Sequence, residues 1–184
     1  MDTITEGRKI VVSYGRENFP SQYGPQGATW IELFNMHGQE VRGRDMRIFW
    51  TRYYAIERER RLIWIVAREE ATKTPIGYSC HWWYVDMHFG DIVGADDLWF
   101  VIPAARKLGI GRRLKEIGLA CLREAGATVT YDIIRAGAGG GVYEALEAMD
   151  YKLWGHRFVR HLILSSNGQE NESAATLDRV ERVG

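Results

Sequence analysis

Asp97-Leu98-Trp99-Phe100-Val101-Ile102-Pro103-Ala104-Ala105-Arg106-Lys107-Leu108-Gly109-Ile110-Gly111-Arg112 is the stretch that decides how the remaining chain is read. An apolar run following two aspartates reads as a strand, and Pro103 closes it because proline has no N–H for a sheet ladder. Beyond it, Ile110, Leu114, Ile117, Cys121, Leu122 and Ala125 recur at three- and four-residue spacing. That spacing predicts a helix, and Gly126 stops it. Gly109 and Gly111, one residue apart at the helix start, let the backbone approach a ligand with no Cβ in the way. The first-turn N–H groups have no intrahelical partners and lie at the positive end of the helix dipole, which makes an anion site. Arg106, Lys107, Arg112 and Arg113 place cationic charge beside it. A plain strand-to-helix turn with solvated arginines uses the same residues.

The spacing of Arg106, Gly109 and Gly111, preceded by Val101 and Pro103, resembles the acyl-CoA signature of the GNAT superfamily of N-acetyltransferases. It is not the dinucleotide fingerprint, whose third glycine would fall at Leu114. It also lacks the Lys-Ser/Thr pair of a phosphate-binding loop. The resemblance covers roughly residues 62–164. It implies an α+β (mixed α/β) fold: a mostly antiparallel sheet of six to seven strands with one splayed parallel pair, flanked by about four helices. It also implies acetyl-CoA as co-substrate, with Trp99, Phe100, Val101, Arg106, Lys107, Leu108, Gly109, Ile110, Gly111 and Arg112 as the cofactor-binding residues.

The 184 residues suit one domain, expected over 1–164, followed by a polar tail over 165–184 rich in Ser, Asn, Gln and Glu. Apolar residues make up 46% of the chain, a globular composition. Lys plus Arg equals Asp plus Glu at 24 each, which argues against a broad basic footprint for nucleic acid. Cys80 and Cys121 read as free thiols, with Cys121 on the apolar stripe of its helix. With no signal peptide and no apolar run of membrane-spanning length, a soluble cytoplasmic protein is expected.

Taken in order, Ile10-Val11-Val12 suggests a first strand. Thr29 and Glu32 have the form of a capping box opening a helix that Gly38 ends, with His37 as a half-buried surface histidine. Met46, Phe49, Trp50, Tyr53 and Tyr54 predict a second helix over about 45–60 with an aromatic core stripe. Residues 62–68 and 76–85 read as two buried strands of an antiparallel hairpin, the second apolar on both faces and so inside the sheet. Asp86 and His88 at its end lack further metal-ligand spacing, and no metal is expected. Residues 128–134 alternate as a strand with one polar side, parallel to the Asp97 strand through the intervening helix. A Gly-rich bend, a helix carrying Val142, Leu146 and Met149, and strands at 153–154 and 158–164 complete the expectation.

Amide formation from a thioester needs a neutral amine, a donor for the oxyanion and a proton for the thiolate. In the resembled family, backbone N–H groups of the Val101 strand supply the donor. Asp97, four residues from Val101 and so on its face, is the first candidate base; Asp132, on the polar face of the parallel strand, is the second. Where the family carries a tyrosine acid this chain has Leu146, leaving Tyr143, one turn earlier, as the candidate. The expected activity is an N-acetyltransferase in which a primary amine, on a small molecule or a protein, attacks acetyl-CoA directly in a ternary complex. The alternatives are a non-catalytic acyl-CoA-binding module of the same fold, or a nucleotide or nucleic-acid modifying protein built on it. Oligomeric state is open.

Overall fold

The computed structural model describes residues 10–132 and Ala148. These form strand β1 (Val12–Glu17), helices α1 (Gly27–Arg42) and α2 (Trp50–Arg58), strands β2 (Leu62–Glu69), β3 (Pro75–Val85) and β4 (Ile92–Val101), helix α3 (Ile110–Glu124) and strand β5 (Val129–Asp132). The sheet order is β1-β2-β3-β4-β5, with the first four strands antiparallel and β5 parallel to β4. This is the mixed α/β sheet with one parallel pair that was expected, in five strands and three α-helices among the described residues. The helix expected after the Gly-rich bend, the two last strands, and the polar tail lie outside those residues.

Side-chain alternation sends the strands' two faces into two apolar clusters. On one face Trp64, Val66, Tyr78, Cys80 and Phe100 meet Trp30, Leu33 and Phe34 of α1, with α2 packing Trp50, Tyr53 and Tyr54 alongside. Aromatic pairs dominate there: Trp64 stacks on Tyr78 at 4.8 Å between centroids, and Phe19 on Tyr53 at 4.4 Å. On the other face Ile63, Ile65, Ala67 and Val101 meet Ile110, Leu114 and Leu122 of α3.

Both of the first two helices differ from their sequence-based outlines. α1 starts at Gly27, with Thr29 inside it making no side-chain cap, and ends at the left-handed Gly43. Gly38 does not stop it. A Cβ there would lie 2.6 Å from the Arg44 carbonyl oxygen and the Met46 nitrogen, so Gly38 lets the returning chain pass against the helix. α2 is shorter than its aromatic stripe, because Met46 to Phe49 precede the helix. In β5 the alternation is also inverted: Val129 and Tyr131 are exposed, while the Thr130 hydroxyl is buried and has no hydrogen-bond partner among the described residues. The pairing of Asp96 with Asp132 fixes this parity and turns Thr130 toward Gly94 and Leu122.

His37 is buried rather than half-buried. Its Nδ1 lies 2.7 Å from the Tyr78 hydroxyl and its ring stacks on Phe100 at 4.9 Å. Burial, opposed by Glu40 and reinforced by Arg106, lowers its pKa to about 4. The unfolded chain, with an ordinary value of 6.5, therefore takes up this proton first, so the contribution to stability is complete above pH 6.5 and is lost as pH falls toward 4. Between pH 7 and pH 4.5 the His37 contribution should fall by on the order of 2 kcal/mol. Urea unfolding of wild type and His37→Gln across that range checks this: the variant should show the shallower acid loss, and parallel curves would refute it.

Candidate active site

The glycine turn follows directly from the end of β4. Ile102 donates its N–H to the Ile76 carbonyl at 3.0 Å, Pro103–Ala105 form a single 3₁₀ turn, and α3 begins at Ile110. Lys107 and Gly109 both take left-handed backbone, with φ of 67° and 74°. A Cβ on Gly109 would meet nothing within 4 Å, so its glycine serves the backbone angle and leaves an open side. The N–H groups of Ile110, Gly111 and Arg112 have no carbonyl four residues back within the helix and stand at its positive end.

Gly111 plays a different part from the one its spacing suggested. A Cβ there would press on the Trp99 ring at 3.1–3.4 Å, and Trp99 Nε1 donates to the Gly111 carbonyl at 3.1 Å. Its missing side chain admits Trp99, not a ligand. Arg106 is likewise engaged elsewhere. Its Nε donates to the Val101 carbonyl at 3.0 Å, its guanidinium pairs with Glu40 of α1, and it covers the Phe100 ring at 5.7 Å. Arg112 and Arg113 pair with Glu116, while Lys107 and Leu108 are exposed. The Trp99 and Phe100 side chains thus belong to packing, and among the described residues this part of β4 offers a ligand its backbone.

The candidate base sits on an irregularity that the sequence does not announce. Across β3 and β4, Cys80 pairs with Leu98 but His81 pairs with Asp96, so Asp97 is an extra residue, a β-bulge. Four residues would have put Asp97 on the face of Val101. The bulge reverses that parity: Val101 packs toward α3, whereas Asp97 accepts a hydrogen bond from the Tyr53 hydroxyl of α2 at 2.5 Å. Asp97 is exposed and reachable. Burial, then the charge and hydrogen bond of Asp97, push the Tyr53 pKa above the ordinary tyrosine range. The described pairing of β4 with β5 ends at Asp96 and Asp132, and β4 runs on to Val101 beyond it. The backbone of Asp132 therefore lies across from Asp96, while Tyr143 and Leu146 are outside the described residues.

Behind the bulge lies a buried polar array that the spacing of residues did not reveal. His81 Nδ1 hydrogen-bonds Asp96 Oδ1, Lys115 Nζ donates to Asp96 Oδ2 at 2.8 Å, and His81 Nε2 lies 3.0 Å from Ser79 Oγ. Burial alone would raise the Asp96 pKa, but the hydrogen bond and charge of His81 together with Lys115 outweigh it and hold the carboxyl well below the ordinary range. The order Ser79–His81–Asp96 matches that of a nucleophilic triad. Burial rules out that use, because Ser79 and His81 are 0% exposed and the second contact of Ser79 Oγ is the Leu114 carbonyl at 3.3 Å. No substrate carbonyl can reach it.

Asp86 accepts the N–H groups of His88 and Phe89 at 2.8 and 2.9 Å and so closes the β3–β4 turn. Among the described residues no group of three or more His, Cys, Asp or Glu side chains could hold a metal ion. Nor is any described helix long and apolar enough to cross a membrane.

Neither a protein-family model nor a curated protein sequence matches the chain. Solved structures do. A transcriptional regulator from Bacillus halodurans aligns with a TM-score of 0.65 at 14% identity, over 83% of this chain and 100% of its own. An acetyltransferase from Trypanosoma brucei aligns with a TM-score of 0.63 at 13% identity, over 83% and 100%. AAC(6')-Iy, in complex with the bisubstrate analog CoA-S-monomethyl-acetylneamine, aligns with a TM-score of 0.60 at 14% identity, over 83% and 99%. At such identities the likeness is one of architecture: the chain has the fold of the GNAT N-acetyltransferases.

Proposed function

We propose that this protein is an acyl-CoA-dependent N-acyltransferase, with acetyl-CoA as the default donor and a primary amine as acceptor. The observation that carries the reading is the open turn into α3, at Leu108 to Arg112, which follows directly from the end of β4. The diphosphate of the donor would accept hydrogen bonds from those N–H groups, and its thioester arm would run along the backbone of Trp99 to Val101. Lys107 and Arg112 add charge from the exposed side.

In the reaction, the amine nitrogen attacks the thioester carbonyl carbon and the C–S bond breaks as the C–N bond forms. Backbone N–H groups of β4 stabilise the oxyanion. Asp97 accepts the amine proton, directly or through water, and the Tyr53 hydroxyl holds the carboxylate in place. Asp132 is the alternative base. The thiolate leaves either unprotonated or with a proton from Tyr143, and Leu146 at the family's tyrosine position leaves both routes open. A second reading, acyl-CoA binding without turnover, draws support from a fold neighbour described as a transcriptional regulator. Release of free thiol from acetyl-CoA against an amine panel separates the two.

Three variants test the residue roles. Leu108 is exposed, so Leu108→Glu puts negative charge at the turn without disturbing Trp99. Its coenzyme A dissociation constant should rise at least about tenfold at unchanged melting temperature; unchanged affinity by calorimetry removes the diphosphate site. Asp97→Asn should lower kcat by about 10²–10⁴-fold with partial rescue at high pH. Tyr53→Phe keeps the stack on Phe19 and should cost roughly tenfold in kcat. A wild-type rate in Asp97→Asn, with a loss in Asp132→Asn, would exchange the two carboxylates.

A further inference from the structure

The Lys115–Asp96–His81 array is an expensive way to hold a helix. Lys115 is 1% exposed, its ammonium lies 2.8 Å from Asp96 and 5.2 Å from the centre of the Trp99 ring, and an apolar replacement of such a pair often costs nothing in stability. What the array supplies that apolar packing cannot is direction. Ile110, Leu114 and Leu122 would tolerate a rotated or shifted α3, because hydrophobic contact is non-directional. A buried ammonium, by contrast, fits only where its carboxylate is.

The contacts lead to both ends of the proposed site. Lys115 stands one turn after Gly111, whose carbonyl takes the Trp99 indole N–H. The Leu114 carbonyl faces Ser79, and Gly118 is in contact with the His81 ring, which occupies the space a Cβ would need. Every one of these contacts ties the first turns of α3 to β3 and β4. Asp96 itself is the residue immediately before the bulged Asp97.

We propose that Lys115, Asp96 and His81 are positioning residues that fix the glycine turn of α3, and so the acyl-CoA diphosphate, relative to the bulge that carries Asp97. This rests on the acyltransferase reading above. The three side chains touch neither substrate; they set the distance and angle between the donor's anchor and the base. Both depend on one covalent neighbourhood, so a shift of α3 by a fraction of a turn would misplace the thioester while leaving the core filled.

The test replaces the array without leaving an orphaned charge. In Asp96→Asn/Lys115→Met the amide oxygen still accepts from His81 and the methionine keeps the lysine's apolar stem. Asp96→Asn/Lys115→Gln is the second variant should the first not fold, and Ile65→Ala, a truncation in the same apolar cluster, is the control for a loss of stability alone. Coenzyme A affinity is measured by calorimetry, and acetyl-CoA KM and kcat by thiol release, at a temperature where each protein is folded by circular dichroism. The array variant should lose coenzyme A affinity at least tenfold with a matching rise in KM, while Ile65→Ala lowers the melting temperature and keeps wild-type affinity. Affinity within twofold of wild type in the array variant overturns the proposal, and so does an equal loss in Ile65→Ala. No binding by the wild type overturns the acyltransferase reading itself, and the positioning role with it.

Discussion

Between Cys80 and His81 the ladder joining β3 to β4 slips by one residue, and the rest of the site depends on that slip. A regular strand would put Asp97 and Val101 on one face. The extra residue instead turns Asp97 toward α2 and Tyr53, and brings Asp96 to the α3 side with His81 and Lys115. The bulge therefore decides which of the two adjacent carboxylates is exposed and which is sealed. A bulge re-aims side chains in this way at modest cost to the sheet.

The second constraint is how closely α3 approaches the sheet. Its buried residues are Ile110, Leu114, Lys115, Gly118 and Leu122, with Ile117 and Cys121 only partly covered. At 100° per residue, the buried face is turned by roughly 45° from the centre of the stripe of Ile110, Leu114, Ile117, Cys121, Leu122 and Ala125. Its centre is Gly118, against His81, with Gly111 against Trp99 about two turns earlier. Glycine carries almost no weight in a hydrophobic pattern, so the stripe pointed to the flank of the true face. Read as a column, Gly111-Lys115-Gly118-Leu122 has the four-three-four spacing of a buried line and would have flagged the lysine.

Much of the architecture was legible because it rests on local patterns. Apolar residues 62–68 and 76–85 could only be interior strands, and the strand–helix–strand length required a parallel β4 and β5. The glycine turn was visible as spacing, although Gly109 and Gly111 proved to serve different ends and Arg106 was committed to Glu40 and Val101. What escaped was non-local. Tyr53 looked like one aromatic in a core stripe, and its hydroxyl acquires meaning only when the bulge brings Asp97 to it. His81 and Asp96 lie fifteen residues apart and meet through register alone.

The central claim is that the first turn of α3 binds the diphosphate of an acyl-CoA. Titration of ¹⁵N-labelled protein with coenzyme A, followed amide by amide, tests it most directly. The account predicts that the largest shifts fall on the backbone amides from Leu108 to Arg112 and on those of β4 from Trp99 to Val101, with the outer face of α1 unmoved. Saturable binding that leaves the Leu108 to Arg112 amides in place, or no shift anywhere at millimolar coenzyme A, would contradict it.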